Sequence, residues 1–347
     1  MFPDVGASRN DSLNSSETDG ERGERTHLGV EIGELGAWIR MVSDPAALHT
    51  RWRFSFTAPP SADELIDQLV EGSQTLSGGT GPLGVGVACW GHPASAYSLQ
   101  REDEQASFWE DELFRHQVSE RLGAAIYVRP AVEFAALAEA TERAPYSAGP
   151  LLYVHLGREV LSCIVTDGTI LTGAHGLAGG LGHWSVAPDG PRCACGIQGH
   201  LNPLCSSQSI VRMAIGLAAQ SDEALREVRA ITHDRAESMT AAQVVQLAAR
   251  EVEPMVVLTR RAASALGRTL GHVALLLDPA TIVLGGPLGV AGDPFLAWTR
   301  DEMYVALGTV RQERGLPIVI SAALEPESAL VGAREAARRS AQRPAGE

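Results

Sequence analysis

The stretch that decides the fold is Gly182-His183, followed after nine residues by Cys193-Ala194-Cys195-Gly196-Ile197-Gln198-Gly199-His200. It places two imidazoles and two thiols within 18 residues, with a glycine-bearing turn before the last one. Zinc favours tetrahedral coordination by sulfur and nitrogen, and such short spacings let a single loop surround the ion. The stretch therefore predicts a structural zinc site with four protein ligands, which are His183, Cys193, Cys195 and His200.

The alternative is that two cysteines and two histidines share one loop by coincidence. Cysteine is often a small core residue, but a Cys-x-Cys-Gly sequence on a polar loop would make an unusual core. Cys205 adds a further sulfur nearby, and whether it joins the metal site is left open. Metal analysis that finds less than half a zinc per chain, in protein purified without chelator, would contradict the zinc hypothesis.

Short apolar segments on both sides of this loop predict two α/β lobes. Strands are expected at residues 28–33 and 83–89 in the first half, and at 151–154 and 280–286 in the second. Strands followed by helices, twice over, are typical of an α/β protein. The predicted organisation is a disordered polar tail (1–26), an N-terminal lobe (27–128, joined by a C-terminal helix at about 325–340) and a C-terminal lobe (129–324) carrying the zinc loop (173–205).

The composition narrows the classes of molecule that the chain is expected to bind. Lys and Arg number 28 against 42 Asp and Glu, so the formal net charge is −14. An acidic body repels phosphate backbones, so direct binding of nucleic acid is not expected. An odd number of cysteines, five, suits a reducing compartment and a metal site rather than a disulfide framework. Neither a signal peptide nor a bilayer-spanning apolar run is visible, and a cytoplasmic location without membrane contact is expected.

These motifs resemble those of the ROK family of sugar kinases and sugar-responsive repressors, over residues 28 to about 335. The Gly-His pair and the Cys-x-Cys-Gly-x-x-Gly run match that family, in which a third cysteine stands where this chain has His200. The segment 277–286, with its Leu-Asp-Pro and Val-Leu-Gly-Gly sequences, is similar to the family's strand beside the adenosine. The resemblance implies an actin-like ATPase (ribonuclease H-like) fold with two lobes, and a homodimer.

The resemblance also exposes departures at the two phosphate-binding turns. The first turn has the form Asp-x-Gly-Gly-Thr in the family and reads Glu31-Ile32-Gly33-Glu34-Leu35 here. Glycines let backbone N–H groups approach phosphate oxygens, and a carboxylate at Glu34 repels them. The second turn, residues 157–162, keeps only its first glycine. The changes at these two turns argue against binding of Mg·ATP. The residual nucleotide-binding candidates are Glu31, Gly33, Gly285 and Gly286.

Further departures fall on the catalytic base and the sugar ligands. The family's base is an Asp at the start of the interlobe helix, and Ala131 stands there. Glu133, two residues on, is the weak substitute, so no catalytic residue is assigned. Of the family's two sugar-binding glutamates, one position holds Gly180 and the other Asn202. The predicted ligand-binding residues are therefore His183, which the family also uses for sugar, and Asn202.

The sequence-based hypothesis is a non-catalytic module of the ROK type that senses a sugar-like or polyol ligand or acts through protein contacts. A first alternative is a divergent ATP-dependent kinase of a sugar or cyclitol. A second alternative is a transcriptional regulator. It would act through a partner, because the polar residues 1–26 are too few for the winged helix that family repressors carry.

Overall fold

The computed structural model describes residues 26–33, 38–43, 51–57, 60–90, 112–142, 149–309 and 316–340. It contains two five-stranded sheets of the same design. Each sheet has a central strand. The two strands on one side of it are joined in antiparallel pairs, and the two on the other side run parallel to it. The expected tail lies almost wholly outside the described residues. The sequence also predicts a helix at 107–122, and its first residues, 107–111, lie outside the described residues too.

The first sheet has the strand order β3-β2-β1-β4-β5, and the second β8-β7-β6-β9-β10. The strands of the first sheet are β1 (His27–Ile32), β2 (Trp38–Val42), β3 (Arg51–Ser55), β4 (Gly84–Cys89) and β5 (Ala125–Pro130). Those of the second are β6 (Leu151–Leu156), β7 (Val160–Thr166), β8 (Thr169–Ile170), β9 (Thr281–Gly285) and β10 (Ile318–Ser321). The matching orders show that two lobes of one topology make up the chain.

Helices fill the spaces between and behind the sheets. In the first half they are α1 (Ala62–Leu76), α2 (Glu112–Leu122) and α3 (Ala131–Glu142). In the second half they are α4 (Asn202–Cys205), α5 (Ser207–Ala218), α6 (Asp222–Thr232), α7 (Ala241–Ala249), α8 (Glu253–Leu277), α9 (Gly286–Gly289), α10 (Phe295–Leu307) and α11 (Ser328–Ser340). Short 3-10 helices lie at Leu181–His183 and Ala236–Ser238.

Local chemistry explains several of these boundaries. Ser61 and Glu64 form a capping box at the start of α1, because the Glu64 carboxylate accepts a hydrogen bond from the Ser61 N–H at 2.8 Å and the Ser61 side chain accepts one from the Glu64 N–H. The helix runs to Leu76. The central strands β4 and β6 are buried at every residue, as expected for strands covered on both faces.

Helices α3 and α11 lie between the two sheets and hold the lobes together. The approach is close, because an added Cβ at Gly86 would lie 1.9 Å from the Ala333 carbonyl oxygen. The carboxylate of Glu139, fully buried on α3, accepts hydrogen bonds from the backbone N–H groups of Ala323 at 3.1 Å and Leu324 at 2.8 Å. This carboxylate fixes the segment that connects β10 to α11, where one residue of the site described below is found.

None of the helices in the described ranges combines the length and apolar character needed to cross a bilayer.

Candidate functional site

The four predicted metal ligands come together in one cluster. The ligand atoms of His183, Cys193, Cys195 and His200 all lie within 4.8 Å of one another. The Nδ1 atoms of the two histidines are 3.4 Å apart, and Cys195 Sγ lies 3.2 Å from His200 Nδ1. A tetrahedral site with metal–ligand bonds of about 2.0–2.3 Å has ligands separated by roughly 3.3–3.8 Å. This set, called the Cys/His cluster below, has the shape to hold one metal ion.

Backbone hydrogen bonds within the loop set this geometry. The N–H of Cys193 donates to the Ile197 carbonyl at 2.8 Å, and the Gly196 N–H donates back to Cys193 at 2.9 Å. Gly199 has φ +78°, and a Cβ there would lie 1.8 Å from the Ala187 carbonyl oxygen, so the tight turn requires glycine. The glycines quoted at the outset therefore bring His200 back beside the cysteines.

The state of the thiols also fits a metal ion. Burial raises the pKa of the Cys193 thiol, so a thiolate at this position needs a cation beside it. Cys205 is fully buried in the core of the C-terminal lobe, where its thiol lies 3.6 Å from the Leu201 carbonyl oxygen. It is outside the Cys/His cluster, which answers the question that the sequence left open.

The two predicted ligand-binding residues lie close to one another and to the hairpin between β6 and β7. A Cβ added to Gly182, the neighbour of His183, would come within 3.4 Å of the Asn202 side-chain carbon Cγ. The Asn202 side-chain oxygen accepts a hydrogen bond from the Val160 N–H at 2.5 Å. Asn202 thus ties the end of the Cys/His loop to the start of β7, and its buried amide is held in one orientation.

A second cluster, of polar and aromatic side chains, links the two lobes at the carboxyl ends of their parallel strands. Its members are Glu31, Trp90, Tyr153, His155 and Glu325, and we call it the interlobe cluster. The Trp90 indole N–H donates to the Glu31 carboxylate, and the Trp90 ring packs on the His155 ring with centroids 4.2 Å apart. The carboxyl ends of parallel strands are where α/β folds place their ligands, so this cluster occupies the expected position of a binding site.

Glu325 is the anion at the centre of this cluster. Its Oε1 accepts hydrogen bonds from the Tyr153 hydroxyl at 2.7 Å and the Gly286 N–H at 2.9 Å, and lies 3.7 Å from His155 Nδ1. Burial alone would raise the pKa of this carboxyl group. The interactions with His155, Tyr153 and Gly286 outweigh that effect and lower the pKa to about 2. Glu325 is therefore ionised at neutral pH.

The residual nucleotide-binding candidates fall in the same region. Glu31 is 2% exposed near the end of β1, with Gly33 just beyond the strand. Gly285 ends β9, and Gly286 follows it with φ +75°. Glu34 and Leu35, whose side chains replace a glycine and a threonine of the first phosphate turn, lie outside the described residues.

The expected base position holds no proton acceptor. Ala131 is buried at the first residue of α3. Glu133, two residues along the helix, has a side chain 18% exposed, and its Oε2 lies 2.9 Å from an Arg129 guanidinium nitrogen. Gly180 precedes the 3-10 helix that presents His183 and offers no side chain.

Sequence reasoning missed Trp90, His155 and Glu325. Two of them carried a usable signal, because Trp90 ends an apolar strand and His155 interrupts one. A polar or aromatic residue at the carboxyl end of a buried parallel strand is a candidate for a site. Glu325 had no such signal, because only the fold of the segment before α11 brings it to Gly286.

Comparison with known proteins identifies the family. A family model described as the ROK family matches residues 27–340. The chain therefore belongs to the ROK family.

Relatives within the family cover most of the chain. A glucokinase from Streptomyces coelicolor is 26% identical over 318 residues, 90% of this chain and 97% of that protein. A glucokinase from Halalkalibacterium halodurans is 31% identical over 190 residues, and the match spans about half of each protein, 54% of this chain and 56% of that one. A solved ROK glucokinase from Streptomyces griseus, in complex with glucose and AMPPNP, has a TM-score of 0.73 at 24% identity, over 90% of this chain and 99% of that one.

These matches confirm the predicted fold, an α/β actin-like ATPase fold with two lobes. They also overturn the hypothesis of a non-catalytic regulatory module, because the relatives are glucokinases and point to sugar kinase activity. That hypothesis was wrong because it equated each changed motif position with a lost function.

Proposed function

We propose that this ROK protein is a divergent ATP-dependent sugar kinase. The observation that carries the proposal is the match to a glucokinase along 97% of that protein's length. The geometry is in keeping with it, because the interlobe cluster lies at the carboxyl ends of parallel strands, where α/β folds bind their ligands. A monosaccharide is the expected substrate, and Mg·ATP the expected phosphoryl donor.

In this reaction a sugar hydroxyl oxygen forms a bond to the γ-phosphorus of ATP. The bond from that phosphorus to the β-γ bridging oxygen breaks, ADP leaves, and the hydroxyl proton passes to a base. We assign the base to Glu133, the carboxylate at the start of α3, which is partly exposed and held by Arg129. Glu31 is the acid suited to the magnesium ion, because it is buried at the end of β1 beside Gly33.

Zinc is the metal that we propose for the Cys/His cluster. Two thiolates and two imidazoles are a donor set that zinc favours, and four protein ligands close the coordination shell. Such an ion is structural. It would fix the loop that carries His183, whose backbone lies beside Asn202 on the sugar side of the site.

Two further expectations complete the proposal. No disulfide joins the five cysteines, all of which lie in the described residues, and this suits a reducing cytoplasm. The family resemblance implies a homodimer, and light scattering on the purified protein tests this expectation.

The kinase proposal is tested by measuring ADP release in the presence of hexoses and N-acetylhexosamines, each with Mg·ATP. Sugar-dependent ADP release, with a phosphorylated sugar identified by mass spectrometry, is the expected result. We expect Glu133→Gln to lower kcat by about 100-fold or more, since general base catalysis contributes about 10²–10⁴-fold.

Glu142→Gln is the matched control, because Glu142 is an exposed residue at the far end of the same helix. It should leave kcat unchanged. Sugar-independent ADP release across the whole panel would refute the kinase. Equal rates for the wild-type enzyme and Glu133→Gln would refute the assignment of the base.

A further inference from the structure

A cavity lies against the loop that carries the Cys/His cluster. Its volume is about 370 Å³, and its walls are the segment 184–187, Leu204 and one face of α8. Binding pockets for small molecules range over about 300–1,000 Å³. The volume therefore suits a ligand of monosaccharide size and is small for a nucleoside triphosphate.

The α8 wall of this cavity is basic. Arg261, Arg268 and His272 all line it. At 1.5 Å per residue, the two arginines are about 10 Å apart along the helix axis, and His272 lies about 6 Å beyond Arg268. Three nitrogen-bearing side chains thus line one face of a helix in a chain whose net charge is −14.

The two arginines differ in their partners. Arg268 Nε lies 3.3 Å from Glu302 Oε2, and the same oxygen accepts a hydrogen bond from Ser264 at 2.9 Å. Arg261 makes no hydrogen bond or ion pair within the described part of the chain. Glu302 therefore offsets one of the two guanidinium charges, and the charge of Arg261 is left to attract an anion.

Trp184, which is partly buried, also lines the cavity. An aromatic ring offers a flat apolar surface, and a guanidinium binds phosphate through two parallel N–H donors. A ligand of this cavity would thus combine a compact ring with a phosphate group. We propose that the cavity binds a phosphorylated monosaccharide, and that this ligand regulates the kinase.

The location supports a regulatory role. Trp184 directly follows His183, and its carbonyl oxygen accepts a hydrogen bond from the Leu201 N–H at 2.9 Å. Leu201 in turn precedes Asn202 at the start of α4. A ligand packed against Trp184 contacts the backbone that positions both predicted sugar-binding residues. The regulatory part rests on the proposed kinase function, of which a sugar phosphate is the product, whereas the binding part does not.

The test is calorimetric titration of the full chain with glucose 6-phosphate, with saturating glucose present to occupy the sugar site. We expect binding that glucose does not abolish, and an affinity reduced about tenfold in Arg261→Gln, since a hydrogen bond to a charged group contributes about this much. Arg260→Gln is the matched control, because Arg260 is next in sequence but lies over the Trp298 ring, 4.1 Å from its centroid. It should bind as the wild type does.

Several outcomes would overturn the binding site. They are an absence of heat, complete competition by glucose, and equal affinity in the wild type and Arg261→Gln. Inorganic phosphate that binds as tightly as glucose 6-phosphate would reduce the cavity to a simple anion site, against the proposal. Binding that depends on Arg261, in a protein without kinase activity, would retain the site and remove the proposed kinase function. In an active enzyme, unchanged kcat and KM at saturating glucose 6-phosphate would refute the regulatory role.

Discussion

The Cys/His cluster and the interlobe cluster are both polar sites in this molecule, but they are assembled in opposite ways. All ligands of the Cys/His cluster come from an 18-residue stretch, 183–200. The interlobe cluster draws on β1, the end of β4, β6 and the segment before α11, so its members are up to 294 positions apart (325 − 31). The first site is built by local turns, and the second only by the packing of two lobes.

The two clusters also differ in what balances their negative charge. Cys193 is the buried thiol of the Cys/His cluster, and burial raises its pKa, so a metal ion is needed for a thiolate to persist there. In the interlobe cluster, Glu325 accepts hydrogen bonds from protein groups and stays ionised without an added ion. Loss of metal should therefore damage the first cluster, and changes of pH or of one side chain should damage the second.

The largest effect is expected from removal of a metal ligand. Cys193→Ser should lower the zinc content well below one ion per chain. We expect it to lower the free energy of unfolding by about 4 kcal/mol, because loss of a metal site is among the most destabilising changes. Metal analysis and thermal unfolding, each with and without chelator, measure the two effects.

Cys205→Ala is the control for that experiment, since Cys205 is buried outside the cluster. It should keep the full zinc content and cost no more than a small cavity. Wild-type stability that does not change on chelation would contradict a structural metal.

An intermediate effect is expected from acid. The folded-state pKa of Glu325 is about 2, against an ordinary value of 4.5. A lowered folded pKa contributes stability above pH 4.5, and that contribution is lost as the pH falls towards 2. Between pH 7 and pH 3 the wild type should therefore lose about 2 kcal/mol more than Glu325→Gln. Chemical denaturation at both pH values measures the difference, and parallel losses would show that Glu325 does not have this role.

The smallest effect is expected from the contact between lobes. Trp90→Phe keeps an aromatic ring beside His155 and removes the N–H that donates to Glu31. We expect a loss of about 1 kcal/mol in the free energy of unfolding, the contribution of one hydrogen bond. Trp52→Phe makes the same change in size at a ring that stacks on Phe54 instead. Equal losses in the two variants would mean that the Trp90 N–H contributes nothing.

Sequence reasoning reached the Cys/His cluster and the fold because both depend on short-range patterns. Ligand spacing, glycine turns and apolar runs are readable within about 20 residues, and the structure reproduces them. It also placed His183 and Asn202 together, through the family resemblance. It misjudged the function. The family's base is replaced by Ala131 and one of its sugar ligands by Gly180, and these two changes were given more weight than the similarity of the whole chain to kinases.

The sequence by itself determined the α/β class, the two lobes and the four members of the Cys/His cluster. Only the tertiary structure decided that Glu325 meets Gly286 and His155, that Trp90 joins the lobes, and that Arg261 and Trp184 line one cavity. Local patterns reflect backbone geometry over one or two turns. Contacts across hundreds of residues depend instead on how α3 and α11 pack between the sheets, which no local pattern contains.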